Sequence, residues 1–387
     1  MALSGDKFLQ IGKTIRNNYV EKWQDEGKKV MGYYCTYIPE ELLYAGKFLP
    51  YRIRSTEQTD TAMADVFMVR FTCSFIRATL NSALQGNYDF LDGLTVCNSC
   101  DHSRRMFELF DLKLFRKPAF RNKAERPHSL YFTIPHIISD EGFEWFLKEL
   151  KIFKGKIEST YDIDKISDDD LLRAIKIYNE NRDLLKKIHS FRVTTQPKLS
   201  GKNALMISLA NSSVPKSIAN KELKRILEGL KSSNSIYKNQ RKRILLVGSA
   251  IDHLDLIQLI ENAGAAVVSD LLCFGTKNFT NKVELNEEES PLESIAKRLY
   301  YKLSCPRMMN DHERRLNYIK EEIKVANIDG VILQRIENCD LHGCDNMLFL
   351  HELRDINMPV LNLDREFYQA DTTRLQTRIE AFIEMIT

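Results

Sequence analysis

Residues 89–109, DFLDGLTVCNSCDHSRRMFEL, carry the pattern on which the fold reading turns. An apolar, β-branched run (Leu94, Thr95, Val96) stops abruptly at Cys97, Asn98, Ser99 and Cys100. Asp101 stands where a helix N-cap belongs, and Arg104 to Leu109 continue with apolar side chains at helical spacing. Two thiols, an acid and His102 therefore fall at the carboxyl end of a strand and the mouth of a helix. Open α/β sheets hold their chemistry at that end. Two other stretches look built to meet it: Arg70-Phe71-Thr72-Cys73-Ser74 and Asn338-Cys339-Asp340-Leu341-His342-Gly343-Cys344.

The flanking sequence repeats the alternation of strand and helix. Residues 30–34, 49–53, 66–71, 91–96 and 129–134 read as strands. Pro39-Glu40-Glu41 opens a helix that ends near Ala45-Gly46, with proline in the first turn and two acids complementing the dipole. Residues 74–83 read as another helix. From about Ser139 the texture changes to Lys-, Glu-, Leu- and Ile-rich helical periodicity, including the long amphipathic stretch IKIYNENRDLLKKIHSF. After the polar segment SSNSIYKNQRKR come four more buried-strand candidates, 244–248, 265–269, 330–333 and 359–363, separated by helical segments.

The expected fold is therefore α/β, with two Rossmann- or flavodoxin-like parallel-sheet domains and a helical insert between them. The division is residues 1–29 as an N-terminal helix, 30–138 as the first α/β domain, 139–241 as helical insert and linker, and 242–387 as the second α/β domain. A chain of 387 residues suits two cores. With 43% hydrophobic and 28% charged residues, the composition is that of an ordinary globular protein. The net charge of +3 gives no case for nucleic acid or membrane as partner. No window reaches the roughly 18 consecutive apolar residues of a membrane span. The N-terminal stretch lacks the apolar core of a signal peptide, so a cytoplasmic location is expected.

In a reducing compartment, eight cysteines that gather at strand ends point to metal ligands or catalytic groups rather than disulfides. Cys73, Cys100 and Cys339 each follow an apolar strand candidate, and three such thiols suit a soft metal or an iron–sulfur cluster. The alternatives are buried cysteines without metal, a Cys97/Cys100 redox dithiol, or a zinc site of Cys97 and Cys100 with Cys339 and Cys344, His342 lying between the last two. Cys273 and Cys305 look like ordinary buried or loop cysteines. Ser249 follows a strand but lacks the glycines of a dinucleotide fingerprint, and no phosphate loop occurs, so any electron arrives from elsewhere. The basic run Lys113, Arg116, Lys117, Arg121, Lys123 and Arg126 is either a site for a polyphosphate such as coenzyme A, a face for an acidic partner, or a solvated surface.

Several segments together resemble one family, the 2-hydroxyacyl-CoA dehydratase / benzoyl-CoA reductase superfamily. They are Cys35-Thr36-Tyr37-Ile38-Pro39-Glu40-Glu41-Leu42-Leu43, Cys73-Ser74-Phe75, Asn98-Ser99-Cys100-Asp101-His102, Ile177-Tyr178-Asn179-Glu180-Asn181-Arg182 and Asn338-Cys339-Asp340. The resemblance runs nearly end to end. It implies an oxygen-sensitive iron–sulfur subunit with a 4Fe-4S cluster held by Cys73, Cys100 and Cys339. It implies as partners a homologous second subunit in a heterodimer, an ATP-hydrolysing iron–sulfur activator that injects one low-potential electron, and an acyl-CoA substrate. The chemistry it implies is a ketyl radical anion on the thioester that expels the 2-hydroxyl, or electron delivery into an aromatic ring conjugated to the thioester. Thr36 and Glu40, on the loop that resembles the family's substrate-pocket loop, are candidates for polar contacts, and His102 either orients Cys100 or faces solvent. The additional thiols Cys35, Cys97 and Cys344 keep open a larger double-cubane cluster in an ATP-dependent reductase. A subunit that only relays electrons or scaffolds its partner is a further alternative.

Overall fold

The computed structural model describes residues 6–116, 126–237, 239–366 and 372–386. Its strands form two four-stranded sheets, and every pairing is parallel. The first sheet contains β1 (Val30–Tyr34), β2 (Leu49–Arg52), β3 (Gly93–Cys97) and β4 (His128–Phe132), in the order β2-β1-β3-β4. The second contains β5 (Lys242–Gly248), β6 (Ala265–Leu271), β7 (Gly330–Ile336) and β8 (Val360–Arg365), in the order β6-β5-β7-β8. The two orders are equivalent, and each sheet has one point where the strand sequence reverses, at β1/β3 and at β5/β7. The expectation of an α/β fold with two parallel sheets holds. Full burial along β3 and β6 is what helices on both faces of a parallel sheet produce.

Between β4 and β5 lie four helices, Asp140–Tyr161, Asp168–Val193, Gly201–Asn211 and Lys216–Ser232. Ser139, Ser167 and Ser200 cap the first three by accepting a backbone N–H. The two sheets share a core. One apolar cluster includes Val30 and Leu94 from the first sheet, Phe75 and Ile76 from the helix Ser74–Leu84, and Leu246 and Ile332 from the second. That helix is buried along almost its whole length. Among the described residues no helix is long and apolar enough to cross a membrane.

Three local expectations are corrected. Residues 66–71 are not a strand: the short helix Ala62–Asp65 runs into turns, and Val66, Val69 and Phe71 are 76%, 70% and 78% exposed. The buried side chains here, Ala64 and Met68, stand at helical spacing, and Arg77 gathers the segment. Its guanidinium donates to the Thr72 carbonyl (2.9 Å), to Thr61 Oγ1 (3.0 Å) and to Asp65 (2.7 Å). The N-terminal segment forms two helices rather than one, Lys7–Ile11 and Asn18–Asp25, each capped by its own residue, Asp6 or Asn17. Gly12 sits in the break, where a Cβ would lie 2.5 Å from the Met206 carbonyl oxygen. Finally, Asp101 is not an N-cap; Cys100 is.

Candidate functional site

A cavity of about 300 Å³ lies between the two sheets. Both switch points open onto it: Cys35 follows β1 and Cys100 follows β3, while Ser249 follows β5 and Cys339 follows β7. Ligands of open α/β sheets bind in such crevices beyond the strand ends, and here two crevices face each other. Cys73, Cys100 and Cys339 all line the cavity, and each is the N-cap of a helix: Ser74–Leu84, Asp101–Leu109 and Asp340–Asp355. Three positive helix ends therefore surround the thiols. The cap at Cys100 is reciprocal. Its sulfur accepts from the Ser103 N–H (3.4 Å), and its own N–H donates to Ser103 Oγ (3.2 Å). Thiol sulfur takes the place that a carboxylate or hydroxyl oxygen fills in most caps, which is why the neighbouring aspartate looked the better choice.

Supporting residues hold each thiol. His102, half-exposed, accepts the Cys73 N–H on Nδ1 (3.3 Å), a bond that positions Cys73. Asn98 ties the end of β3 to the chain after β4, donating to the Ile134 carbonyl (3.0 Å) and accepting its N–H (2.8 Å). Ser249 Oγ accepts the Ile336 N–H (3.1 Å) and hydrogen-bonds the Cys339 sulfur, drawing its pKa down. Asn338, one residue before Cys339, takes a left-handed φ of 62°, a conformation asparagine tolerates better than most.

Burial pushes all three thiols up, Cys100 to about 11, and neighbouring charge adds to it. Cys73 feels Cys339 and Cys100, and Cys100 feels Cys339. Arg365, buried and donating to Gln334 Oε1 (2.8 Å) and the Ala250 carbonyl (2.9 Å), is near enough to Cys73 and Cys339 to feel their charge. Burial drives its pKa down to about 10, and the thiols oppose that shift. Among the described residues no three His, Cys, Asp or Glu side chains form a group suited to a single metal ion.

The remaining candidates divide. Thr36 lines the cavity, whereas Glu40 lines a separate small polar cavity and stands 3.4 Å from Lys216. Cys35 lines the main cavity, and Cys97, fully buried behind it, hydrogen-bonds its sulfur. Cys344 is exposed and is not part of the lining. Cys273 and Cys305, which looked ordinary in sequence, also line the cavity; the loops that carry them reach it only through tertiary packing. Of the basic run, Arg116 pairs with Asp111 (2.6 Å) and Lys113 lies 4.9 Å over the Phe67 ring, while Lys117, Arg121 and Lys123 fall outside the described residues. The Ile177–Arg182 motif builds structure: Asn179 bonds Val283 in both directions, and Arg182 pairs with buried Glu41. Sequence reasoning missed Ser249 as a thiol partner, along with Arg365, Lys302, which feels the charge of Cys35 and Cys97, and Lys277, which lines the cavity. Only the Gly275-Thr276-Lys277 run just beyond a strand end was a usable signal.

Comparison with known proteins places the chain among acyl-CoA-processing relatives. The chain is 25% identical to the (R)-phenyllactyl-CoA dehydratase beta subunit of Clostridium sporogenes, over 99% of this chain and 100% of that one. It is 26% identical to one of the benzoyl-CoA reductase subunits of Thauera aromatica, over 82% of this chain and 81% of that one. It is 22% identical to the (R)-2-hydroxyglutaryl-CoA dehydratase beta subunit of Acidaminococcus fermentans, over the full length of both. Residues 35–386 match the family model described as 2-hydroxyglutaryl-CoA dehydratase, D-component, and the chain belongs to that family.

Proposed function

We propose that this chain is an iron–sulfur subunit of an acyl-CoA-processing enzyme, with a 4Fe-4S cluster held by Cys73, Cys100 and Cys339. The observation that carries the reading is the convergence of three N-cap thiols, drawn from both halves of the chain, on one enclosed cavity. Thiolates are the donors that iron–sulfur clusters use, and three helix N-termini oppose the negative charge such a group brings. The thiolates of a four-iron cluster bind separate irons, so they need not gather as the ligands of one ion do. A zinc site of Cys97, Cys100, Cys339 and Cys344 fits less well, because Cys97 faces Cys35 and Cys344 lies outside the cavity.

When bound, the cluster supplies one-electron chemistry at low potential, the kind that generates a ketyl radical anion on a thioester. The chain's own residues enclose and orient. Tyr34, Phe75, Ile76, Phe274, Leu303 and Ile336 form largely apolar walls that exclude water. His102 and Ser249 fix two of the thiols, and Thr36 lines the cavity beside them. Dehydration of a 2-hydroxyacyl-CoA is the leading reaction, with aromatic ring reduction as its alternative. The absence of a phosphate loop from the sequence supports a separate ATP-hydrolysing activator as electron donor. The relatives are each named as one subunit of an enzyme, which supports a homologous partner for this chain. Six thiols on one lining also favour, as a second reading, a double-cubane cluster.

The test is the visible spectrum and metal content of the chain purified without oxygen. A brown protein with about four irons, bleached by reductant, is expected, with the iron lost in Cys73→Ala, Cys100→Ala and Cys339→Ala and kept in Cys344→Ala. About eight irons would support the double cubane. Colourless, zinc-containing protein would overturn both. With the activator supplied, formation of enoyl-CoA or of a cyclic diene separates the two reactions.

A further inference from the structure

We propose that Lys277, with His342 beside it, is the point at which the cavity holds an oxygen of a bound acyl group, either a thioester carbonyl or a carboxylate. This inference rests on the acyl-CoA reading above. Both side chains line the cavity and are only 4% and 6% exposed, yet neither makes a hydrogen bond or ion pair among the described residues. Their nitrogens open onto the cavity rather than being sealed in protein, so an oxygen bound there is the acceptor within their reach.

The Lys277 backbone is held on both sides. Thr276 donates its N–H to Asp270 Oδ1 (2.9 Å), Asn278 donates to the Cys273 carbonyl (2.8 Å), and Arg298 donates to the Asn278 carbonyl (3.0 Å). Gly275 lets Asp270 approach, since a Cβ there would lie 1.9 Å from its carboxylate. Neighbours do not compete for the amine. Arg52, the other cation on the wall, is committed to the Cys273 carbonyl (2.6 Å) and lies 3.8 Å over the Phe274 ring. Asp101 and Asp340, the acids on the lining, are exposed. The His342 ring lines the same cavity and can offer an N–H donor alongside the amine. The cavity, about 300 Å³ and shared with the proposed cluster, has room for the acyl end of a substrate but not for a whole coenzyme.

The experiment measures binding of propionyl-CoA, succinyl-CoA and free CoA by calorimetry, using the full cluster-loaded chain kept without oxygen. Wild type, Lys277→Met, Lys277→Gln and Lys277→Arg are compared, and far-UV circular dichroism checks each fold. Relative to free CoA, Lys277→Met is expected to weaken thioester binding about 10- to 100-fold, with Lys277→Gln intermediate and Lys277→Arg partly restored. An equal loss for both thioesters assigns the carbonyl, and a loss confined to succinyl-CoA assigns the carboxylate. Unchanged thioester affinity in Lys277→Met and Lys277→Gln overturns the proposal; a shifted cluster potential in those variants would then assign the amine to the cluster. Wild-type protein that binds neither thioester better than free CoA would overturn the acyl-CoA reading itself, and this inference with it.

Discussion

Cys35 combines an uncommon backbone with an uncommon thiol. Its φ of 87° lies in the left-handed region, which costs a non-glycine residue of order 1 kcal/mol or more and tends to cluster at functional sites. The hydrogen bond from Cys97 is the largest influence on its thiol. Together with the Tyr37 N–H, Lys302 and Arg307, it overcomes burial and brings the pKa down from 9.0 to about 5. A lowered thiol is charged above its pKa, so in protein stripped of metal Cys35 should alkylate down to about pH 5. Cys97→Ala should move that inflection up toward 9.0, as followed by mass spectrometry after iodoacetamide labelling; an unmoved inflection would discard the thiol pair. Ser249 also hydrogen-bonds a thiol, that of Cys339, but there it only offsets part of the rise that burial causes. On the proposed cluster reading, Ser249→Ala should cost about 1 kcal/mol of cluster retention, read as iron lost to a chelator roughly five times faster. Nothing around Ser249 in the sequence announces this role, because its partner caps a helix beyond the end of another strand, ninety positions away.

At the scale of elements, the helix that starts at Glu40 is tied to the long helix Asp168–Val193 by the buried pair Glu41–Arg182. Burial alone would raise the Glu41 carboxyl, but Arg182 and Arg298 outweigh it and hold it at about 2, below its ordinary 4.5. A depressed acid contributes stability in full above its unfolded pKa, and that contribution fades as pH falls from about 4.5 through about 2. Arg182→Met would strand the carboxylate and should cost ~3–5 kcal/mol, seen as a lower urea midpoint at neutral pH and a smaller further loss on acidification. Gly248 closes β5 with a φ of 134°, and a Cβ there would lie 1.8 Å from the Gln334 carbonyl oxygen. Gly248→Ala should therefore yield little folded protein; a normal melting curve for that variant would contradict the geometry. Strand and helix types were largely legible because their periodicity is local. Residues 66–71 misled because an apolar run says nothing about whether a sheet edge is there to receive it.

For the whole molecule, the two sheet units are joined by polar contacts as well as by the shared core. Arg52 of β2 reaches the Cys273 carbonyl, and Arg307 donates to the carbonyls of Asn98 (3.1 Å) and Ile134 (3.2 Å). Lys302 donates to the Thr36 carbonyl, and Asp252 accepts the buried Ser55 N–H (2.5 Å). These contacts hold the half that carries Cys73 and Cys100 against the half that carries Cys339. Asp252→Ala leaves the Ser55 N–H buried without that acceptor, at about 1–3 kcal/mol. The variant should keep its far-UV spectrum while melting earlier and, on the proposed cluster reading, releasing iron sooner. Unchanged iron release would mean that this contact does not hold the cavity closed.

Sequence by itself determined the parallel α/β class, the strand-end setting of Cys100 and Cys339, and the family resemblance. Those features depend on side-chain alternation, capping and motif order, all of which act over a few neighbouring residues. Tertiary structure alone decided that Cys73 enters from a turn rather than a strand, that Cys273 and Cys305 join the lining and Cys344 does not, and that Glu40 faces Lys216. It also decided that Lys277 and His342 share one wall. The reason is physical: which strand ends meet is set by how two sheets pack around one buried helix, and a local pattern carries no record of that packing.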